Sequence, residues 1–383
     1  MRANNIQDIK RPDGIVVFIT GVSGQDGSIM IDYLLHETDA FIVGGARRLS
    51  VENHTNLIHL ENEPRFQLVN FDLTDSHSIS KIVECIKPDF FINFAAQSFV
   101  ASSWDFPRQT WECNSTAVLD CLEAIKQHQP NCRFYNAGTS EEFGNIVYSP
   151  QDENHPLRPR SPYGASKAAA RHLIKVYRES YGLYAVQGWL FNHEGTRRGE
   201  EFVTRKITKA VSRIYKSIDS GLDFEPLFLG NIDAQRDWSD AEDMVDAVWR
   251  MLNQEKYNEG LHCKSGDPYP WTNKELYKYI KDYVVSSGEC HTIREFVELA
   301  FNALEIKGKW INNTTDPTKT TFETPTHTLV KIDSKFYRPA EVEVLKGNPK
   351  LIQTELGWKP KINFKELVDK MVLNDTLQTQ LKS

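Results

Sequence analysis

The sequence predicts an α/β protein: a doubly wound parallel (Rossmann) sheet followed by a smaller C-terminal α/β domain. Three observations carry that expectation. From residue 14 to residue 190, short apolar runs rich in Val, Ile and Phe alternate with longer stretches of helical period, the pattern of parallel strands joined by crossover helices. The first run passes directly into Thr20-Gly21-Val22-Ser23-Gly24-Gln25-Asp26-Gly27, with a glycine at every third position where a strand would turn into a helix. After Phe191 the alternation stops, and Pro, Gly and aromatic residues become irregularly spaced, as in a domain that covers the carboxyl ends of the strands.

Taken in order, the strands are expected at 14–20, 40–45, 66–70, 89–94, 132–137 and 185–190, with a helix in each gap and a short or irregular one in the second. These give a dinucleotide-binding domain at 14–192, with a later contribution near 234–262. A ligand-binding domain is expected at 193–233 and 264–383, with substrate between the two. Residues 312–328 are dense in threonine and poor in apolar side chains, so a mobile loop is expected there.

Composition narrows the function classes. At 40% hydrophobic and 25% charged, the 383 residues can bury one large core or two modest ones, which excludes a disordered chain. The net charge of −7 is spread without a sustained block, so neither nucleic acid nor an anionic membrane is an expected partner. Residues 1–13 are polar and lack the apolar centre of a signal peptide, which makes the cytoplasm the expected location. The six cysteines show no C-x-x-C spacing, so neither disulfides nor a metal site is assigned.

The chemistry starts at Ser161-Pro162-Tyr163-Gly164-Ala165-Ser166-Lys167. Ser161 can cap a helix and Pro162 suits its first position, so Tyr163 and Lys167, four apart, share one face. A cation beside a phenol favours the phenolate, which turns a group with a free pKa of about 10 into a base usable near neutrality. The competing reading is a solvated surface pair.

The glycine-rich turn allows close backbone approach, and the helix after it offers unpaired N–H groups to a pyrophosphate. A glycine turn without ligand is the alternative. After the second strand come Arg47 and Arg48, where an acidic residue would receive the ribose hydroxyls of NAD; two guanidiniums suit a 2′-phosphate instead and favour NADP, although arginines are also common on surfaces. Asp72 follows the third strand, either on the adenine side or capping a turn. Beyond the fifth strand, Gly138-Thr139-Ser140-Glu141-Glu142-Phe143-Gly144 sets carboxylates at a strand end, where a general base or a plain helix cap would stand.

At these residues the chain resembles the extended short-chain dehydrogenases, and among them the GDP-mannose 4,6-dehydratase family. The resemblance rests on segments 20–26, 93–98, 139–141, Tyr163 with Lys167, 191–194, 197–207 and 336–341, which span most of the chain. It implies a lyase that dehydrates GDP-mannose to GDP-4-keto-6-deoxymannose through an internal redox cycle on NADP. Tyr163 would take the C4 hydroxyl proton, Lys167 would lower the phenol's pKa, Glu141 would remove the C5 proton and Thr139 would hydrogen-bond the C4 oxygen.

NADP would be held by Gly21, Val22, Ser23, Gly24, Gln25, Asp26, Arg47, Arg48, Leu49, Ser50, Asp72, Leu73, Phe94, Ala95, Ala96, Gln97, Ser98, Tyr163, Lys167, His193 and Arg198. The nucleotide diphosphate would be held by Asn192, Lys206, Arg236 and Arg338. The resemblance also implies a homo-oligomer, a tetramer reached through the loop at 47–53.

The chain departs from the family in an apparent insertion within 255–281, in Gln109 and Gly138, and in Phe143, which stands for a tyrosine and is expected to reshape the pocket near C6. Two other readings compete: a nucleotide-sugar epimerase or 4-keto reductase, which would not need Glu141, and a non-catalytic NADP-binding module.

Overall fold

In the computed structural model, residues 3–48, 54–254, 276–337 and 344–381 are described. Leu49, Ser50, Arg338 and most of the apparent insertion lie outside them. Six strands coincide with the six apolar runs to within two residues at each end: β1 Val16–Thr20, β2 Phe41–Ala46, β3 Phe66–Asn70, β4 Phe90–Asn93, β5 Arg133–Ala137 and β6 Ala185–Leu190. They lie in one parallel sheet ordered β6-β5-β4-β1-β2-β3, doubly wound from β1. A seventh strand, Val284–Val285, pairs parallel with β6 at the edge. Two residues are too few to announce themselves in the sequence.

The sheet is buried on both faces, which is why its strands read as unbroken apolar runs. Val17, Ile19, Ile42 and Ile92 pack on one side with Met30 and Leu34 of the helix Gln25–Glu37 and with Met244 and Val248 of the helix Ala241–Leu252. On the other side, Phe18, Phe91 and Phe134 meet edge to face at 4.8 and 5.3 Å beneath the helices Ser76–Ile86, Ala117–His128 and Pro162–Tyr181. Among the described residues, the second gap holds only the short 3₁₀ turn Thr55–Leu60.

By contacts the chain forms two compact units. The first comprises Met1–Phe191, Ala241–Val285 and Gly347–Lys359; the second comprises Asn192–Asp240, Ser286–Lys346 and Pro360–Ser383. In the second, the helices Val203–Asp219, Ile293–Asn302 and Phe364–Leu381 pack together around Trp238, which stacks on Phe364 at 5.5 Å.

The threonine-rich stretch does not form the expected mobile loop. It carries the strand Thr321–Glu323, antiparallel to Lys309–Ile311 and Thr328–Ile332. Phe322 anchors it against Phe301 and Trp310, while the side chains of Asn313 and Asp316 accept backbone N–H groups in its turns. One well-placed aromatic and two turn-closing side chains outweigh the low apolar content.

Candidate active site

The helix Pro162–Tyr181 starts as its sequence dictates. Ser161 Oγ accepts from the Gly164 N–H at 3.0 Å, a cap of about 1 kcal/mol, and Pro162 fills the first position. Tyr163 and Lys167 are therefore fixed on one face of a rigid element, and both are more than nine-tenths buried. Lys167 Nζ donates to the Ala137 carbonyl at 2.8 Å. Burial pushes its ammonium down to about 8, with the Glu142 carboxylate pulling in the opposite direction.

Ala137 ends β5, and the chain turns at once into the 3₁₀ segment Ser140–Glu142. Thr139 Oγ1 accepts from the Glu141 N–H at 3.3 Å, which leaves its hydroxyl proton for another partner. The two adjacent glutamates have different environments. Glu142 is fully buried: its Oε2 is 2.5 Å from Arg171 Nε, and its Oε1 accepts from the Thr139 N–H at 2.9 Å and from Gln187 at 3.0 Å. Glu141 stays half-buried. Glu142 thus holds the turn, while Glu141 remains partly open to solvent.

Gly164 closes the arrangement. A Cβ there would lie 2.6 Å from the Glu141 carbonyl oxygen, so the glycine lets the Tyr163 helix press directly on the Glu141 backbone. These contacts bring Thr139, Glu141, Tyr163 and Lys167 together.

Two departures from the family now have physical accounts. Gly138 admits no side chain, because a Cβ would strike the Gly188 carbonyl and lie 2.8 Å from an Arg171 nitrogen. Phe143, expected to reshape the pocket near C6, is fully buried, stacked on Trp189 at 5.7 Å and edge-on to His155 at 5.2 Å. It supports the turn from beneath and presents no surface to a ligand. Gln109 is exposed in the short helix Pro107–Trp111.

The glycine turn fits a dinucleotide. Gly21 sits at φ +70° with its α-carbon against β4's exit, where a Cβ would lie 2.8 Å from Ala95 N. At Gly27 a Cβ would lie 2.8 Å from Val22 Cα, so the helix packs tightly on the turn. At Gly24 a Cβ would meet the Gly21 carbonyl oxygen at 3.2 Å, and the helix that begins after it carries first-turn N–H groups suited to a phosphate.

Val22 and Leu73 are buried, Ser23 is exposed, and Gln25 Nε2 donates to Asp26 Oδ1 at 3.0 Å. Arg47 and Arg48 are exposed at the end of β2. Asp72 Oδ1 accepts from Thr74 N–H and hydroxyl at 2.9 and 2.8 Å, the turn-capping geometry. Burial raises the Cys113 thiol.

Phe94, Ala95, Ala96 and Gln97 are half-buried and Ser98 is exposed. The buried Asn114 side chain accepts from Gln97 N–H and donates to the Gln97 carbonyl, both at 2.9 Å, and donates to Ser166 at 3.3 Å. It ties this loop to the Tyr163 helix. Among the described residues no cluster of His, Cys, Asp and Glu could hold a metal, and no helix is long and apolar enough to cross a membrane.

The remaining predicted residues lie in the second unit. Asn192 and His193 belong to the strand Asn192–Glu194, paired with Trp238–Asp240. Arg198 lies 3.0 Å from Glu194 and 3.5 Å from the centre of the Phe202 ring, so its guanidinium already has a structural partner. Arg236 is buried in a strand paired with His291. Lys206 Nζ donates to the Phe228 carbonyl at 2.6 Å and stands 3.7 Å over the Phe336 ring. Burial lowers its pKa, and neighbouring Lys335 lowers it further. It lines a cavity of about 390 Å³ with Glu200, Lys209, Arg213, Phe228, Lys335 and Phe336, in which Lys209 is paired with Glu200.

A sequence model of the family described as GDP-mannose 4,6 dehydratase matches residues 18–272 and 275–371. The chain belongs to that family. With it, the chain is a nucleotide-sugar 4,6-dehydratase, a hydro-lyase. A GDP-mannose 4,6 dehydratase of Drosophila melanogaster is 39% identical over 369 residues, covering 94% of this chain and 86% of that one. GDP-mannose 4,6 dehydratase 1 of Arabidopsis thaliana is 40% identical over 382 residues, 97% and 92% of the two chains. Among solved structures, RMD from Pseudomonas aeruginosa complexed with NADPH superposes with a TM-score of 0.69 at 22% identity, covering 95% of this chain and all of that one, which shows the same fold.

Sequence reasoning about the family motif missed Asn114, Glu142 and Arg171 as the groups that hold the turn and the loop. Arg171 is four residues beyond Lys167, and that spacing was the one available signal.

Proposed function

We propose that this protein converts GDP-mannose to GDP-4-keto-6-deoxymannose, the first unit holding NADP and the second the nucleotide. The observation that carries the reading is the turn of Thr139 and Glu141 seated, through Gly164, on the helix of Tyr163 and Lys167. A redox base pair alone serves an epimerase or reductase; a carboxylate beside it serves an elimination.

NADP, when bound, supplies a hydride acceptor for C4 and a donor for C6. Gly21, Gly24 and the first turn of the helix Gln25–Glu37 would hold its pyrophosphate, and Arg47 and Arg48 its 2′-phosphate. Tyr163, as phenolate, takes the proton from the C4 hydroxyl. The Lys167 cation favours that phenolate. Thr139 donates its hydroxyl proton to the C4 oxygen and steadies charge there. With C4 at the ketone level the C5 proton is acidic; Glu141 takes it, the C6 hydroxyl leaves as water with the proton that Tyr163 took from C4, and Glu141 returns its proton to C5 as C6 is reduced. Lys206 and Arg236 would meet the nucleotide's charge, with Asn192 beside them. The family resemblance also supports a homotetramer, which sedimentation tests.

The experiment is incubation with GDP-mannose and NADP without added reductant. The expected product has lost the mass of one water; unchanged sugar overturns the reading. Glu141→Gln should stop water loss, and turnover within a few-fold of wild type would favour the reductase reading.

A further inference from the structure

Four buried polar side chains outside this scheme form a single row across the sheet. Thr20, Asn93, Asn136 and Gln187 are register partners on β1, β4, β5 and β6, one step beyond the row of Phe18, Phe91 and Phe134 on the same face. None is more than 2% exposed. Each hydrogen-bonds to the next: Thr20 Oγ1 donates to Asn93 Oδ1 at 2.6 Å, Asn93 Nδ2 to Asn136 Oδ1 at 2.8 Å, and Asn136 Nδ2 to Gln187 Oε1 at 2.7 Å. Gln187 Nε2 then donates to Glu142 Oε1 at 3.0 Å.

Both ends fix the direction. At one end the Ala95 N–H donates to Thr20 Oγ1 at 3.1 Å, so that hydroxyl must donate onward. At the other end is a carboxylate, paired with Arg171, that can only accept. Every amide between them therefore has one satisfied orientation, and reversing any one would set like groups face to face in a water-free layer.

We propose that Thr20, Asn93, Asn136 and Gln187 are positioning residues that tie the dinucleotide loop at Ala95 to the turn bearing Glu141, and so hold that carboxylate for the elimination. The inference rests on the function proposed above. The helix of Tyr163 and Lys167 has anchors of its own in the Ser161 cap and the Ala137 carbonyl, and it meets the row at one point, where Gln187 Nε2 also donates to the Lys167 carbonyl at 3.0 Å. Breaking the row at Asn136, away from that shared contact, therefore harms proton removal at C5 more than oxidation at C4.

Two variants test this. Gln187→Met keeps length and removes the donor to both Glu142 and the Lys167 carbonyl, so it tests the turn by amide exchange, and the order of the two chemical steps is read in Asn136→Leu. Asn136→Leu breaks the row at a side chain that bonds to Asn93 and Gln187, one rung from the turn. In substrate-free, nucleotide-free protein, the amides of Glu142 and Phe143 should exchange about 10-fold faster in either variant, with those of Phe18 and Ile19 unchanged. With NADP and GDP-mannose, kcat should fall about 10- to 100-fold with KM within about 3-fold, and the near-ultraviolet absorbance of reduced nicotinamide should build up within a single turnover.

Unchanged exchange at the turn, or equal slowing of C4 oxidation and water loss, overturns the proposal. If one variant fails to fold, the other carries the test. If the wild-type protein leaves GDP-mannose unchanged, the proposed function falls, and the exchange measurement still decides whether the row holds the turn.

Discussion

Gly164→Ala separates stability from catalysis. The added Cβ would lie 2.6 Å from the Glu141 carbonyl oxygen and 3.1 Å from the Pro159 Cβ. Ordinary contact begins near 3.4 Å, so the helix and the turn must part by about 0.8 Å. The obstacle is backbone, which cannot rotate away. Overpacking of this kind costs about 1–3 kcal/mol, while alanine in place of glycine within a helix returns up to about 1 kcal/mol, for a net loss of about 0–3 kcal/mol. Catalysis has no such offset. Tyr163 and Glu141 must serve one sugar ring, and a shift approaching 1 Å between them costs about 10- to 100-fold in kcat, or about 1.4–2.7 kcal/mol of barrier. Steady-state water loss from GDP-mannose, measured beside urea unfolding, reads both quantities. A variant with kcat within about 3-fold of wild type would refute the claim that this backbone contact sets the site.

Glu142→Leu and Arg171→Leu should each destabilise the first unit by about 3–5 kcal/mol, because Arg171→Leu leaves a buried carboxylate without its cation and Glu142→Leu leaves Arg171 with only the more distant Asp282 carboxylate at 3.6 Å; the double variant should cost at least about 2 kcal/mol less than the two together, and strict additivity in urea melts would contradict the pairing. Because burial lowers Lys167 to about 8, kcat/KM should fall as pH rises through that value and the cation beside Tyr163 is lost; a flat profile to about pH 9.5 would speak against its role. The same shift gives a stability sign: the folded pKa lies below the ordinary 10.5, so the cost of burying the cation is full below pH 8 and shrinks between 8 and 10.5. Lys206→Met should raise KM about 10-fold with kcat within about 3-fold, whereas an equal loss in kcat would place Lys206 in the chemical step.

The six main strands were legible because a parallel strand buried on both faces has no polar side, so its run of Val, Ile and Phe is unbroken. Their ends blurred where polar side chains take over: Thr20, Asn93 and Asn136 stand at or next to strand ends and Gln187 in mid-strand, and only the register shows that the four align. The helix of Tyr163 was legible for a local reason, since Ser161 and Pro162 are its own start signals. The different environments of Glu141 and Glu142 were not legible. Neighbours in sequence differ here only in which side of a three-residue turn they occupy, and the partner that separates them, Arg171, lies 29 positions away. The strands near Phe322 were hidden for a related reason, as a threonine-rich composition says nothing about the aromatic residues that meet it from elsewhere in the chain.

The first unit draws on three separate stretches of polypeptide, and its last contribution is Gly347–Lys359, where fully buried Trp358 donates from its indole to the Asp243 carbonyl at 2.8 Å. A ribosome must therefore finish almost the entire message before that tryptophan can be seated. A gene cut after residue 191 would encode every strand from β1 to β6 yet leave the sheet without its edge strand and one of its covering helices. The two units cannot be separated by a single cut, and exchanging one between relatives would require several crossovers.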